Sequence, residues 1–329
     1  MTLLFITQKL HQQDAFGILW IRAFIKRGYK VKVICLEDRV SDEVKDFEIY
    51  SMGKEKGYGK IRQILRFWKY ILTQKYDRVF IHMSPIWGFL GNDIFRFRKI
   101  PTYLWYTHYK RSFSVRVTEL YAKRIFCATK QSVPWLTGGK KVVVGHGIDM
   151  NYWPKRENHA SNPHELLTVH RLSRSKRVEI SLRAMKLLPD DYTLKIYGIE
   201  AEKDYVAEIK ALVTELDLES RVTFKGTVPM EELKDIYSSH QMILNMASET
   251  IDKTMLEAMT CGCYPVTTAG NAKAIGITQA PQEDTSEALA SFIQNFQGTG
   301  SNDMYRIVSE NHSLDGLIER MDAYIQQGG

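Results

Sequence analysis

The sequence predicts an α/β protein made of two Rossmann-like, doubly wound domains facing each other across a cleft, and three observations predict it. Short β-rich apolar runs alternate with stretches of helical periodicity along all 329 residues, and apolar strands separated by helices mean parallel sheets covered on both faces. The length is about twice that of an ordinary domain. The alternation also restarts after a polar stretch, Lys155-Arg-Glu-Asn-His-Ala-Ser-Asn-Pro163, which reads as a linker. The expected division is therefore 1–156 and 157–310, with a final helical segment, 311–329, packing back across the cleft.

In the first half, strands are expected at Leu3–Thr7, Lys30–Cys35, Arg78–His82, Thr102–Thr107, Arg124–Ala128 and Val142–Val144, with helices including Phe16–Lys26 and Lys60–Thr73. In the second half, strands are expected at Leu166–Val169, Thr193–Tyr197, Arg221–Phe224, Met242–Met246 and Tyr264–Thr267. Helical patterns between them include Val178–Leu187, Lys203–Leu216, Met230–Ser238 and Thr254–Thr260.

Composition excludes several classes. Apolar residues are 44% and charged residues 25% of the chain, which is not the balance of a mostly disordered protein. No apolar run approaches the roughly 20 residues that span a bilayer, and Met1-Thr-Leu-Leu-Phe-Ile-Thr7 reads as a first core strand rather than a signal peptide. Cys35, Cys127, Cys261 and Cys263 make no disulfide framework or zinc-like spacing and read as small buried residues in a reducing cytoplasm. Charge is unevenly placed: residues 1–155 hold 28 Lys and Arg against 12 Asp and Glu, while the remainder is net acidic. The first half is thus expected to meet a polyanion. No zinc-finger, RNA-recognition or helix-turn-helix signature accompanies the basic half, so nucleic acid is not the expected partner.

Open parallel sheets bind ligands outside the carboxyl ends of their strands, so the residues that follow each strand matter most. After Met246 comes Ala247-Ser-Glu-Thr-Ile-Asp252, then a helix through Glu257-Ala-Met. Asp252 fits the N-cap, and the backbone N–H groups of Lys253, Thr254 and Met255 make an anion site. Glu249 in the loop and Glu257 on the helix could each accept hydrogen bonds from a sugar diol. After Val169, Arg171 and Lys176 could hold a diphosphate, Arg171 by its fork and Lys176 as a point charge, while Arg174 and Arg177 read as a solvated basic turn. His82 reads as a structural strand-end residue, and His146 stands in a turn before the linker.

With these residues in place, the chain resembles the GT-B glycosyltransferases of family 4, which are retaining sugar-nucleotide transferases. Glu249 and Glu257 fit that family's Glu-x7-Glu motif, continued by Ala258-Met259 and Gly262. Arg171-Leu and Lys176 match its donor-phosphate Arg and Lys, and Val222–Gly226 with Val228 its Val-x-Phe-x-Gly-x-Val segment. Trp105-Tyr-Thr-His108 and Gly145-His-Gly-Ile-Asp149 look like its first-half motifs. The resemblance implies that Glu257 binds ribose hydroxyls and Glu249 contacts the donor sugar near the reacting carbon. It implies that Arg171 and Lys176 neutralise the leaving diphosphate, that His108 faces the sugar, and that Gly226 lies beside the base. The chain departs from the family at Thr250-Ile-Asp-Lys-Thr254, where a Gly-Phe-Gly is common. Gly17 stands where a Gly-Gly pair often does.

The function so implied is transfer of a hexose from a UDP- or GDP-sugar to a hydroxyl of a glycan or lipid-linked acceptor, with retained anomeric configuration. No cofactor or metal is expected, since no Asp-x-Asp stands in a suitable loop and Asp190-Asp191 reads as a turn. A catalytically silent sugar-nucleotide or glycan-binding relative, and a sugar-nucleotide epimerase of the same fold, are the alternatives. The stretch Lys54–Lys75 leaves two readings open: a core helix with a solvated basic face, or a helix lying on an anionic membrane surface, with Ile61, Ile64, Leu65, Trp68, Ile71 and Leu72 as its apolar face. The expected location is the cytoplasm, peripheral to the inner face of the cell membrane on the second reading.

Overall fold

A computed structural model describes residues 1–11, 15–40, 46–160, 162–248, 251–298 and 301–328. The chain forms two compact units, Met1–Gly147 with Leu314–Gly329, and Ile148–Ser313.

The first unit comprises β1 (Thr2–His11), α1 (Ala15–Lys26), β2 (Lys30–Arg39), β3 (Glu48–Ser51), α2 (Lys60–Thr73), β4 (Arg78–His82), α3 (Pro85–Phe97), β5 (Thr102–Trp105), α4 (Phe113–Tyr121), β6 (Arg124–Cys127) and β7 (Lys141–Val143). Its strands form one sheet in the order β3-β2-β1-β4-β5-β6-β7, every neighbouring pair parallel. Alternation along β1 divides the core. Leu3 and Phe5 pack on one face with Trp20 and Phe24 of α1, whereas Leu4 and Ile6 pack on the other with Phe67, Ile71, Trp87, Phe95 and Val115 of α2, α3 and α4.

The second unit comprises β8 (Glu165–Val169), α5 (Val178–Leu187), β9 (Thr193–Tyr197), α6 (Lys203–Glu215), β10 (Val222–Gly226), α7 (Met230–Ser238), β11 (Met242–Asn245), α8 (Lys253–Thr260), β12 (Tyr264–Thr267), α9 (Ala269–Ile275), α10 (Ser286–Gln294) and α11 (Ser301–Asn311). Its five strands run β10-β9-β8-β11-β12, again all parallel. In each sheet the strand order reverses beside the unit's first strand, between β1 and β4 and between β8 and β11. Those reversals are the switch points at which such sheets open a crevice for ligands.

The last helix, α12 (Leu314–Gln327), belongs to the first unit. Leu317, Ile318, Met321 and Ile325 complete the core on the α1 face, and Arg320 donates to the Val144 carbonyl at 2.8 Å. The expected boundary after 156 falls earlier. Gly145 and Gly147 take left-handed φ values of 91° and 75°, and the chain passes from one unit to the other there. The polar stretch read as a linker instead runs along the second unit. Arg156 N–H donates to Thr260 O at 2.9 Å and His159 N–H to Ser238 O at 2.8 Å, with Trp153 buried just before them. Backbone hydrogen bonds hold this polar stretch against the second unit, and composition does not reveal them.

Candidate functional site

The second unit's switch point gathers most of the residues singled out by sequence. β8 ends at Val169, leading to His170 and Arg171, and a short 3-10 turn, Arg174–Lys176, follows before α5. β11 ends at Asn245, and α8 begins at Lys253. These two strands are neighbours, so the segment carrying Lys176 and the segment carrying Asp252 emerge side by side.

There Lys176 is buried, and its Nζ donates to Asp252 Oδ1 at 2.5 Å. Asp252 Oδ2 accepts from Asn245 Nδ2 at 2.7 Å. Asp252 does occupy the N-cap of α8, but its side chain makes no cap hydrogen bond because lysine and asparagine engage both oxygens. The helix start is therefore not closed by its own cap, which leaves it suited to an incoming anion. Of the three N–H groups expected to face that anion, Met255 is satisfied by Asp252 O at 3.1 Å, because the first helical turn closes on it, and the Met255 side chain is fully buried. Thr254 Oγ1 is buried without a hydrogen-bond partner, an arrangement that a ligand oxygen would relieve. Lys253 stands beside it in the same turn.

One turn on, Glu257 carries a carboxyl that burial pushes up to about 7, against the opposing charge of Lys253. His170, also buried, is pushed down to about 4 by burial, with Asp252 pulling the other way, and so stays neutral at physiological pH. A buried lysine paired to one carboxylate, a second carboxyl whose ionisation burial opposes and a neutral histidine thus lie at this end of the sheet. Arg171 is exposed at the end of β8. Gly226 ends β10 at φ 70°, and its carbonyl accepts from Gly198 N–H at 2.8 Å. Glu249 lies outside the described residues.

Sequence reading gave Asp252 only a capping role, set Gly198 among the residues that follow strands at the ligand edge, and assigned no role to Asn245 or His170. Gly198, at φ 143°, is where β9 closes on β8, and a Cβ there would stand 1.8 Å from His170 O. A glycine directly after a strand was the available signal, but the close approach exists only between two strands. Arg174 is a solvated residue as read, paired with Glu208. Arg177 is not: its Nε donates to Met246 O at 2.6 Å and its other nitrogen to Asp284 at 2.9 Å, tying down the end of β11.

In the first unit, His108 follows β5, is exposed, and meets the Tyr106 ring edge-on at 5.4 Å between centroids. Gly17 lies in the first turn of α1, where a Cβ would stand 3.1 Å from the Leu10 side chain, so the glycine lets the helix approach the end of β1. His82 is buried between Phe5 and Trp20, at ring separations of 5.8 and 5.1 Å, as a structural residue would be. All four cysteines are buried, and none forms a disulfide. Among the described residues, no group of three His, Cys, Asp or Glu is arranged to hold a metal ion.

Residues 149–276 match the model of the family described as glycosyl transferases group 1. Solved structures of similar fold include Alr3699/HepE of Anabaena, in complex with UDP and glucose, at 17% identity and a TM-score of 0.77, covering 99% of both chains. Sucrose-phosphate synthase from Thermosynechococcus elongatus superposes at 16% identity and a TM-score of 0.77, over 99% of this chain and 98% of that one. The lipopolysaccharide outer core galactosyltransferase WaaB does so at 14% and 0.73, over 99% of both. No curated protein matches the sequence. At such identities the likeness shows the fold, and the family model covers the segment that carries Lys176, Asp252 and Glu257. The chain thus has the two-sheet GT-B fold of these structures, and residues 149–276, within its second unit, match the glycosyl transferases group 1 model.

Proposed function

We propose that the protein is a retaining glycosyltransferase that moves a hexose from a nucleoside-diphosphate sugar, UDP-linked in the first instance, to a hydroxyl of a glycan or lipid-linked acceptor. The observation that carries this reading is the second unit's switch point, where buried Lys176, the uncapped start of α8 and unpartnered Thr254 Oγ1 converge beside Glu257. A leaving nucleoside diphosphate builds negative charge on its β-phosphate. Lys176, Arg171 and the helix start supply preorganised positive potential for it, the electrostatic contribution that usually dominates catalysis. These groups would take the place of a metal. Glu257, when ionised, accepts from the ribose hydroxyls, and Glu249 reaches the donor sugar near the reacting carbon. Gly226 flanks the base, and Gly17 and His108 serve the sugar from the first unit. Retention follows if the acceptor hydroxyl arrives on the leaving-group face, with the departing phosphate taking its proton.

A structure of similar fold, Alr3699/HepE of Anabaena in complex with UDP and glucose, supports the choice of nucleotide. The basic first half is read as meeting an anionic membrane surface on the inner face of the cell, where a lipid-linked acceptor would be found.

Calorimetric titration with UDP, GDP and ADP tests the proposal. UDP should bind, and Glu257→Ala should weaken it by roughly 1.5–3 kcal/mol, about ten- to a hundredfold. Absence of binding by all three nucleotides would remove the donor site and the function with it.

A further inference from the structure

On the face of the first sheet opposite α1 and α12, the helices α2, α3 and α4 form one layer whose inner side is the core of Phe67, Ile71, Trp87, Phe95 and Val115. Its outer side is unusually apolar. On α2, Ile61, Leu65, Trp68 and Leu72 are 77, 57, 38 and 60% exposed; Phe97 at the end of α3 is 88% exposed and Leu120 at the end of α4 is 70% exposed. Residues 60–123 hold 13 Lys and Arg against three Asp and Glu. An apolar surface set among basic residues has the chemistry of a bilayer interface with anionic headgroups.

Within this layer a cavity of about 510 Å³ opens between the ends of α3 and α4, at the edge of the sheet where strands begin. Arg96, Lys99, Lys123 and Lys140 line it together with Leu120 and Tyr121, and none of its lining residues is a carboxylate. Its walls are fixed. Arg96 lies over the Tyr121 ring at 5.4 Å, and Lys140 Nζ donates to the Glu119 and Leu120 carbonyls at the end of α4, at 2.6 and 3.2 Å. Lys99 holds a left-handed φ of 55°, a conformation that glycine adopts at less cost. The switch-point edge, with His108 and Gly17, lies at the other end of the strands.

We infer that this pocket binds the phosphate of an anionic membrane lipid, while Phe97, Leu120 and the outer stripe of α2 enter the interface around it. The inference rests on the membrane-facing reading of the basic first half and assigns it a site.

Sedimentation with phosphatidylcholine vesicles, with and without phosphatidylglycerol, tests it. The wild type should sediment only with the anionic vesicles. Lys99→Glu with Lys123→Glu should reduce that partition by at least about tenfold. Arg22→Glu with Lys26→Glu, the same charge change on α1 at the opposite face, should reduce it by less than about threefold. Phe97→Ser with Leu120→Ser should also reduce it by about tenfold. Lys99→Gly removes backbone strain as well as charge, so it should raise Tm while weakening sedimentation, which separates lost lipid binding from lost folding.

Equal losses from the two charge pairs would overturn the pocket and leave the membrane reading standing, as would indifference to the serine pair. Failure of the wild type to sediment with either vesicle would overturn both. Titration of each variant with UDP keeps these outcomes separate from the donor site, which lies in the other unit.

Discussion

Glu257 and Asp252 show how much of the site's behaviour turns on single carboxyls. Between about pH 4.5 and 7 the folded protein keeps a proton on Glu257 that the unfolded chain has released. The group's contribution to stability is therefore fully present below about 4.5 and lost as pH rises through 7, a loss of roughly 3 kcal/mol. Glu257→Gln cannot ionise. Its Tm should match the wild type's near pH 5 and exceed it at pH 8, while its UDP affinity should lack the gain that the wild type shows over the same range. Taking wild type minus variant cancels the titration of the nucleotide itself, and a difference that does not change with pH would refute the ribose role. Asp252→Asn leaves Lys176 buried beside a neutral amide and should cost roughly 3–5 kcal/mol, since an unpaired buried charge is far more costly than a paired one. Because a diphosphate would supply the missing charge, UDP should raise the variant's Tm more than the wild type's; an equal or smaller rise would mean that Lys176 does not meet the phosphate. Lys176 and Glu257 were legible as residues because each has a recognisable place after a strand. Their partnership with Asp252, Asn245 and burial was not, because it depends on two strands far apart in sequence being neighbours.

At the scale of elements, α2 shows both the reach and the limit of periodicity. Its span, Lys60–Thr73, agrees with the expectation, and so does its amphipathic character. Its apolar residues form two stripes rather than one: Ile64, Phe67 and Ile71 turn to the sheet, while Ile61, Leu65, Trp68 and Leu72 turn outward. Sequence alone grouped Ile61 to Leu72 as a single face, because hydrophobicity does not state which side of a helix the core will take. Phe67→Ala should therefore cost about 3–5 kcal/mol and Leu65→Gln less than about 0.5 kcal/mol, measurable by denaturant unfolding. Comparable losses at both positions would show that the outer stripe is covered. The strand ends behave similarly. β4, β9 and β12 lie where the β-rich runs placed them, but β3, with its four partly exposed residues, carries too weak an apolar signal for an edge strand to be read. Gly198→Ala should lower Tm by several degrees or more, because the His170 carbonyl and the left-handed φ both exclude a side chain there. A Tm unchanged by that substitution would contradict the close approach of β8 and β9.

Across the whole molecule, the chain order and the compact units do not coincide. α12 is the last element in sequence and yet supplies Leu317, Ile318, Met321 and Ile325 to the core of the first unit. A chain ending at Ser313 should consequently lose the cooperative unfolding of the first unit, while amides in β8 and β11 keep their protection from hydrogen exchange. Loss of protection in both units, or in neither, would refute this division. The charge asymmetry is also a property of the molecule as a whole: a first half rich in Lys and Arg joined to an acidic remainder. No helix among the described residues is long and apolar enough to cross a membrane. Attraction of the basic half to an anionic lipid surface should weaken with salt.

By itself, the sequence determined that apolar strands alternate with helices in two sheets, that the segment from Arg171 to Lys176 and the segment around Glu257 each follow a strand, and that the first half is basic. These are local properties, written in composition, periodicity and spacing. The tertiary structure alone decided that Asp252 pairs with Lys176 instead of capping α8, that the boundary falls at Gly147, that α12 returns to the first unit, and that four cations converge on one cavity between α3 and α4. Each of those facts depends on which strands and helices become neighbours, and a linear pattern does not record neighbours that are distant in the chain.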